Sequence, residues 1–490
     1  MAPATRGRAM TAKTFANHIA GSWVTGYDTA PNINPSELTD TIGHYALGSA
    51  DDVFQAVDAA STAFKTWSKS TSLMRAEALD KIGTEIVTRK DELGDMLARE
   101  EGKTLREATG EAHRAGSLFK YFATEAYRET VSGFRSIREN VELEVRREPI
   151  GVVGIITPWN FPLAIPAWKI APALAYGNTV VFKPAELVQG SAWLLSDIIS
   201  RAGLPAGVFN LVMGHGHDVG QAIVDHPNVA GVSFTGSTAV GKRIGAALFQ
   251  RGARMQLEMG GKNPLIVLDD ADLDLAVDCA VQGAYFSTGQ RCTASSRLIV
   301  TQGIHDKFIE AMRNRLLELK VGDARNPKTQ MGPVVSAEQL QIDEKYIQIG
   351  CDEGAELLCG GTRLEAMANG YYLTPTLFAS SSNEMRINRE EIFGPIAAVQ
   401  CVASYDEALH VANDTNYGLS GGIITSDINR QRHFRDNAQV GMVQINLPTA
   451  GMDFHAPFTG KKSSSYGPPE KGGYAREFFT VSKVVHEGHR

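Results

Sequence analysis

The chain has 490 residues, 43% hydrophobic and 21% charged, ordinary values for a soluble globular enzyme and enough for two or three domains with sizeable cores. A net charge of −7 offers no general basic surface, so no nucleic-acid partner is expected, and no apolar run reaches membrane-spanning length, so neither is a membrane one. The cysteines (Cys279, Cys292, Cys351, Cys359 and Cys401) are scattered without metal-ligand spacing, which points to a reducing, cytoplasmic setting and to no bound metal.

Residues 1–14 are small and basic without an apolar centre. They read as a disordered tail or upstream start extension; a mitochondrial transit peptide is the alternative, and the stretch is short for one. Residues 19–24 read as an edge strand and turn. Between Asp51 and Lys69, Val53, Val57, Ala60, Phe64 and Trp67 fall at helical spacing, and Ser49, Asp51 and Asp52 offer a cap and acidic residues at the positive end of the helix. Amphipathic helical patterns continue to about Gly133. Val141, Leu143 and Val145 then alternate with Glu142, Glu144 and Arg146, which predicts an amphipathic strand. It either closes an internal hairpin or projects to pair with another subunit, with a slight lean to the second.

From Ile150 the texture becomes α/β. Buried strands are predicted at 151–156, 179–182, 208–212 and 231–234, with helices at 168–176, 191–202, 214–224 and 240–250. Such alternation predicts a parallel, doubly wound sheet, which binds ligands at the carboxyl ends of its strands. The polar turns that begin at Thr157, Lys183 and Thr235 fall there. A further strand at 265–268, a helix at 272–287 and alternation through Asn446 give a second α/β unit. Residues 457–473 read as a long loop, and 478–485 as a final strand.

The chemistry is expected in residues 285–297. Small neighbours let a substrate approach the Cys292 sulfur, and Arg291 adds positive charge that favours thiolate, the nucleophilic form. Taken alone, the stretch leaves a nucleophile and a buried structural cysteine open. Glu258 precedes Gly260-Gly261, a turn that a backbone can approach closely. Its apolar neighbours are expected to raise its pKa towards that of a base, against the plain reading of a solvated glutamate. Gly214-His215-Gly216 with Gly220 misses the dinucleotide fingerprint by one position. Residues 236–242 resemble a phosphate loop, but Arg243 stands where Ser or Thr must reach magnesium, and that reading is rejected. Ser237 at a helix start can still present backbone N–H groups to a phosphate.

Taken together, Pro158-Trp159-Asn160-Phe161-Pro162, Lys183-Pro184-Ala185-Glu186, Phe234-Thr235-Gly236-Ser237, Leu257-Glu258-Met259-Gly260-Gly261-Lys262, Gly289-Gln290-Arg291-Cys292 and Glu391-Ile392-Phe393-Gly394-Pro395 stand in the order and rough spacing of the aldehyde dehydrogenase superfamily. The resemblance covers nearly the whole chain from Phe15. Residues 290–297, 446–451 and 464–468 are most similar to its α-ketoglutaric semialdehyde (2,5-dioxopentanoate) branch. The resemblance implies a Rossmann-like parallel-sheet cofactor domain (15–128 and 148–257) and a second α/β catalytic domain (258–455). A small β oligomerisation arm with the C-terminal segment (129–147 and 456–490) completes it. A homodimer or homotetramer is implied, with contacts through 136–147 and the last strand.

It also implies NAD(P)-dependent oxidation of an aldehyde to an acid, with α-ketoglutaric semialdehyde as substrate and succinic or glutaric semialdehyde as the alternative. A non-redox thioesterase and a non-catalytic relative are the competing classes. Cys292 would attack the aldehyde, the Asn160 amide and the Cys292 N–H would hold the oxyanion, and Glu258 would activate the hydrolytic water. The cofactor crevice would be walled by Ile156, Thr157, Pro158 and Trp159, by Phe234, Thr235, Gly236 and Ser237, and by Met259 and Gly260 beside Glu258. Lys183, Glu186 and Gly216 would serve the adenine side, with Glu186 favouring NAD while NADP stays possible. Glu391 and Phe393 would steady the nicotinamide end. Arg291 is the candidate for a substrate carboxylate, a loop-bracing salt bridge being its alternative. Asn160, Phe161, Trp168 and Phe458 complete the substrate side. Thr459 departs from the family's Pro-Phe-Gly-Gly turn and would be strained if that position needs φ > 0.

Overall fold

In the computed structural model, which describes residues 13–128 and 131–489, the middle of the chain builds an eight-stranded sheet. Its central strands run parallel in the order Arg254–Glu258, Val229–Thr235, Val152–Ile156, Thr179–Lys183, Phe209–Leu211. The chain moves outward from Val152–Ile156 to one side, then returns to lay Val229–Thr235 on the other. The strand order therefore reverses between these two, the place where doubly wound sheets open a ligand crevice. Val152–Ile156 and Thr179–Lys183 are buried at every position because helices cover both faces of the sheet. One edge is closed by the hairpin Asn17–Ile19 and Ser22–Val24, the other by Ser465–Tyr466.

Helices Ala50–Trp67, Ser72–Thr88, Lys90–Glu101 and Leu105–Glu125 precede the sheet. The first starts as its sequence dictates: the Ser49 N–H donates to the Asp52 carboxylate at 2.7 Å, and the Asp52 N–H donates to Ser49 Oγ at 3.3 Å. Trp67, Leu79, Phe119 and Phe122 share one core with Phe182 of the sheet and Ile170 of Ala164–Ala175, a helix buried at every residue. The helical pattern stops at Glu125; Gly133, expected near its end, lies in a strand instead. The helix expected over 214–224 is a wide turn, Gly216–Gly220, followed by Gln221–Asp225.

The second unit is a seven-stranded sheet in the order Glu356–Cys359, Thr376–Ala379, Ile396–Val402, Arg297–Thr301, Pro264–Val267, Ser420–Ile424, Met442–Ile445, parallel except for the first strand. A third, antiparallel sheet joins Val131–Arg135, Val141–Pro149 and Thr480–Gly488. Here one expectation is corrected. Val141–Pro149 lies in the middle of the sheet, paired within its own chain over 142–146 on one edge and 141–149 on the other, so over 142–146 neither edge is open to another subunit. The open edges belong to the outer strands. The stretch 457–473 is not all loop either: Lys461–Lys462 pairs with Tyr417–Gly418, and Ser465–Tyr466 extends the first sheet. The expected tail over 1–14 lies outside the described residues up to position 12, while Thr14–Phe15 pairs with Thr41–Leu47. Among the described residues no helix is long and apolar enough to cross a membrane.

Candidate active site

The carboxyl ends of the first sheet face the amino ends of the second, and the site lies where they meet. Glu258 is the last residue of Arg254–Glu258; residues 259–263 then carry the chain to Pro264 at the start of the second sheet. Cys292 lies in the loop that leads into Arg297–Thr301. The sulfur thus comes from the amino ends of the second sheet's strands, which the usual rule for α/β sheets does not anticipate.

Three devices fix this loop. Ser287 and Thr288 adopt left-handed conformations (φ 51° and 56°) that residues with side chains disfavour. The Glu107 carboxylate offsets the cost, accepting from the Ser287 N–H at 2.9 Å, Ser287 Oγ at 3.0 Å and the Arg291 guanidinium at 2.7 Å. From the other side the Asn263 amide donates to the carbonyls of Cys292 (2.8 Å) and Ala294 (2.9 Å). Gly261 lets the loop approach: a Cβ there would stand 2.5 Å from the Cys292 carbonyl oxygen.

Around the sulfur the groups are buried and unevenly charged. Burial, with the carboxylates of Glu391 and Glu258, pushes the Cys292 thiol up to about 12. The expected help from Arg291 is therefore not what sets this thiol. Glu258 is 3% exposed; burial and the neighbouring Glu470 carboxylate raise it well above the usual range, although Ser465 Oγ donates to it at 2.5 Å. The Asn160 side-chain amide gives one proton to the Gln290 carbonyl at 3.0 Å, while the Asn160 main-chain carbonyl accepts from Lys103 at 2.6 Å. Cys292 opens onto a cavity of about 240 Å³ lined by Phe161, Trp168, Arg291, Phe458 and Met452, among others. Trp168 stacks on Phe458 with ring centres 5.6 Å apart, and its Nε1 donates to Glu470 at 2.6 Å.

The crevice at the strand-order reversal gathers the other expected residues. Ile156 pairs with Phe234 on one side and Lys183 on the other. Beyond Ile156, Thr157 opens the turn that continues through Pro158 and Trp159. The hydroxyls of Thr157 and Thr235 are buried and have no hydrogen-bond partner among the described residues. Gly236 and Ser237 lead into helix Thr238–Gln250, whose first turn Ser237 caps through the Val240 N–H at 3.4 Å. Burial lowers the Lys183 ammonium to about 8 against the pull of Glu186. Glu186 accepts from the Gly216 N–H at 3.0 Å and meets His215 Nδ1 at 2.7 Å; against burial, these contacts hold its carboxyl below its usual range. At the far end the Glu391 carboxylate accepts from the Gly261 N–H at 2.8 Å, and burial raises it to about 7. A Cβ on Gly260 would stand 2.3 Å from that carboxylate, and Met259 packs against Gly241. Phe393, at φ 68°, meets Trp159 edge to face at 5.3 Å.

Two expectations change on the substrate side. Arg291 lines the cavity, but its guanidinium is already paired with Glu107 and bonded to Ser287 Oγ at 2.9 Å, which is the bracing arrangement. Thr459 is unstrained: neither it nor Gly460 has positive φ. Sequence reading missed Lys103, Glu107, Glu111 and Arg114, which line the same cavity. The signal was available in part, since Glu107, Glu111 and Arg114 recur at helical spacing on a face otherwise buried in the core. It also missed Glu470 and Lys471, hidden in a glycine- and proline-rich stretch without periodicity.

The chain matches the aldehyde dehydrogenase family over residues 23–485. It is 45% identical over 476 residues to the α-ketoglutaric semialdehyde dehydrogenase of Bacillus subtilis, covering 96% of this chain and 98% of that one. It is 40% identical to the 2,5-dioxopentanoate dehydrogenase of Saccharolobus solfataricus, with 96% and 98% covered. Among solved structures, the betaine aldehyde dehydrogenase of Staphylococcus aureus in complex with NAD+ superposes with a TM-score of 0.94 at 35% identity, over 96% of this chain and 95% of that one.

Proposed function

The chain belongs to the aldehyde dehydrogenase family, and from that premise we propose that it oxidises α-ketoglutaric semialdehyde to 2-oxoglutarate with NAD. The observation that carries the substrate is charge. Of the charged side chains that line the cavity, Lys103, Arg114, Arg291 and Lys471 are basic and Glu107 and Glu111 acidic, while Glu258, Glu391 and Glu470 approach the sulfur from outside that lining. A cavity with that excess attracts a carboxylate and repels a cationic aldehyde such as betaine aldehyde. The relatives from Bacillus subtilis and Saccharolobus solfataricus, both named for this substrate, support the same reading.

The crevice fits a dinucleotide. It combines a strand-order reversal, a helix start at Ser237 and two buried threonine hydroxyls that lack partners among the described residues. Lys183 and Glu186 would serve the adenine ribose, where Glu186 favours free hydroxyls and so NAD, while Lys183 leaves room for NADP. Ser237 would meet the pyrophosphate, and Glu391 with Phe393 would hold the nicotinamide end. The chemistry a bound nicotinamide supplies is acceptance of a hydride from the substrate carbon.

The chain's own residues do the rest. The Cys292 thiol gives its proton to solvent as the sulfur bonds to the aldehyde carbon. The free amide proton of Asn160 and the Cys292 N–H hold the resulting oxyanion. Loss of hydride leaves an acyl group on the sulfur. Glu258, whose raised pKa suits a base, takes a proton from the water that attacks this thioester; the C–S bond breaks, and acid and thiol are released. The exposed arm would join copies of the chain into a dimer or tetramer, and the unbridged cysteines suit the cytoplasm.

The test is absorbance at the NADH band with a panel of α-ketoglutaric, succinic and glutaric semialdehydes and neutral aldehydes. We expect the first to give the highest kcat/KM, and Cys292→Ser to abolish NADH formation with all. A neutral aldehyde turned over as well as the acids would defeat the substrate reading, and an active Cys292→Ser the mechanism.

A further inference from the structure

We propose that Arg114 and Lys471, and not Arg291, hold the carboxylate of the aldehyde substrate, an assignment that rests on the acidic-substrate reading above. The four basic side chains around the cavity are not equivalent. The Lys103 ammonium lies between the Glu111 carboxylate and the Asn160 carbonyl, both at 2.6 Å, and 3.8 Å from the centre of the Phe161 ring. Arg291 gives one terminal nitrogen to Glu107 and Ser287, while its Nε has no partner among the described residues. Each of these two cations already has a carboxylate in contact.

Among the described residues the other two form no direct ion pair, although Glu111 and Asp453 act on Arg114, and Glu470 and Asp453 on Lys471, from further away. Among the described residues Arg114 forms neither a hydrogen bond nor an ion pair, although Glu111 lies three residues before it on the same helix face. Lys471 is 2% exposed, and among the described residues its ammonium hydrogen-bonds only to the Asp453 carbonyl, at 3.2 Å. It stands 5.3 Å from both the Trp168 and Phe458 ring centres, so the stacked pair forms a floor beneath the charge. Burial lowers the pKa of both groups, and Lys471 falls to about 8. A desolvated cation without an ion-pair partner is costly, and a ligand carboxylate would supply the opposite charge. Lys471 also adopts φ 61°, a conformation unfavourable for a residue with a side chain. Both cations share one cavity with the Cys292 sulfur, so a short aldehyde acid can place its carbonyl at the sulfur and its carboxylate between them. Arginine offers a two-pronged donor and lysine a point charge, a complementary pair for one carboxylate.

The experiment compares Arg114→Met, Lys471→Met and Arg291→Met in the full-length enzyme, reading the ratio of kcat/KM for α-ketoglutaric semialdehyde to that for pentanal. Arg114→Met and Lys471→Met are each expected to lower this ratio at least tenfold, with Arg114→Lys keeping more of it than Arg114→Met. Glutarate should also lose at least tenfold in its ability to protect Cys292 from iodoacetamide, a readout independent of turnover. Equal losses for both aldehydes, or a ratio that falls only in Arg291→Met, would overturn the assignment. A wild-type enzyme that does not prefer the acid would overturn the substrate reading itself, a result seen before any variant is made.

Discussion

At Cys292 burial and charge favour a thiol where the proposed chemistry needs a thiolate. Burial and two carboxylates, Glu391 and Glu258, raise it together. The sign of one substitution follows. Glu258→Gln removes a neighbour that is negative once ionised, so in a pH series alkylation by iodoacetamide should be faster than in wild type at the alkaline end, where Glu258 carries its charge. The same variant lacks the base for thioester hydrolysis, so NADH should appear as a burst of about one per active site, followed by turnover slowed ~10²–10⁴-fold. Slower alkylation would mean that Glu258 serves the thiol and not the water. Neither behaviour could be read from the order of residues around Cys292, where Arg291 is next in sequence but spends its charge on Glu107. Adjacency along the chain says little about which carboxylates approach a sulfur from other elements, and here those that matter come from 258 and 391.

Elements whose sequence carries its own period were legible; those defined by a distant partner were not. Val152–Ile156 and Thr179–Lys183 announce themselves as β-branched runs bounded by glycine and proline, and Ala50–Trp67 by its cap and stripe. Ser465–Tyr466 is too short to show a period and exists because Arg254–Glu258 offers it an edge. The segment that carries it is pinned by Glu470, whose carboxylate takes an ion pair from Lys169 and the Trp168 N–H, both on helix Ala164–Ala175. Both members of that pair are buried, at 0% and 1% side-chain exposure. Lys169→Met should therefore leave Glu470 as an uncompensated buried charge and destabilise the protein by about 3–5 kcal/mol, seen as a lower urea midpoint. Replacing both partners, Lys169→Met with Glu470→Leu, should recover much of the loss. An unchanged midpoint in the single variant would show that water reaches Glu470 and that the segment is held by other contacts.

At the scale of the whole molecule the arm is the feature a single chain leaves unfinished. Its middle strand is paired on both sides over 142–146, but among the described residues the outer edges of Val131–Arg135 and Thr480–Gly488 have no strand partner. Phe134 is 56% exposed, Val481 41% and Val484 56%. An open strand edge with apolar side chains is a template for pairing with another chain, and proteins that keep one usually cover it. A second copy would supply the complementary surface at no cost in sequence, since one two-fold axis would satisfy the same strand on both partners. Light scattering at micromolar concentration should then give an integral multiple of the 52.9 kDa chain. Val484→Glu, which puts a charge on the outer strand without touching the site, should shift the mass towards one chain. Wild-type protein that scatters as a single chain would show that the arm is not the contact, and the exposed valines would need another explanation.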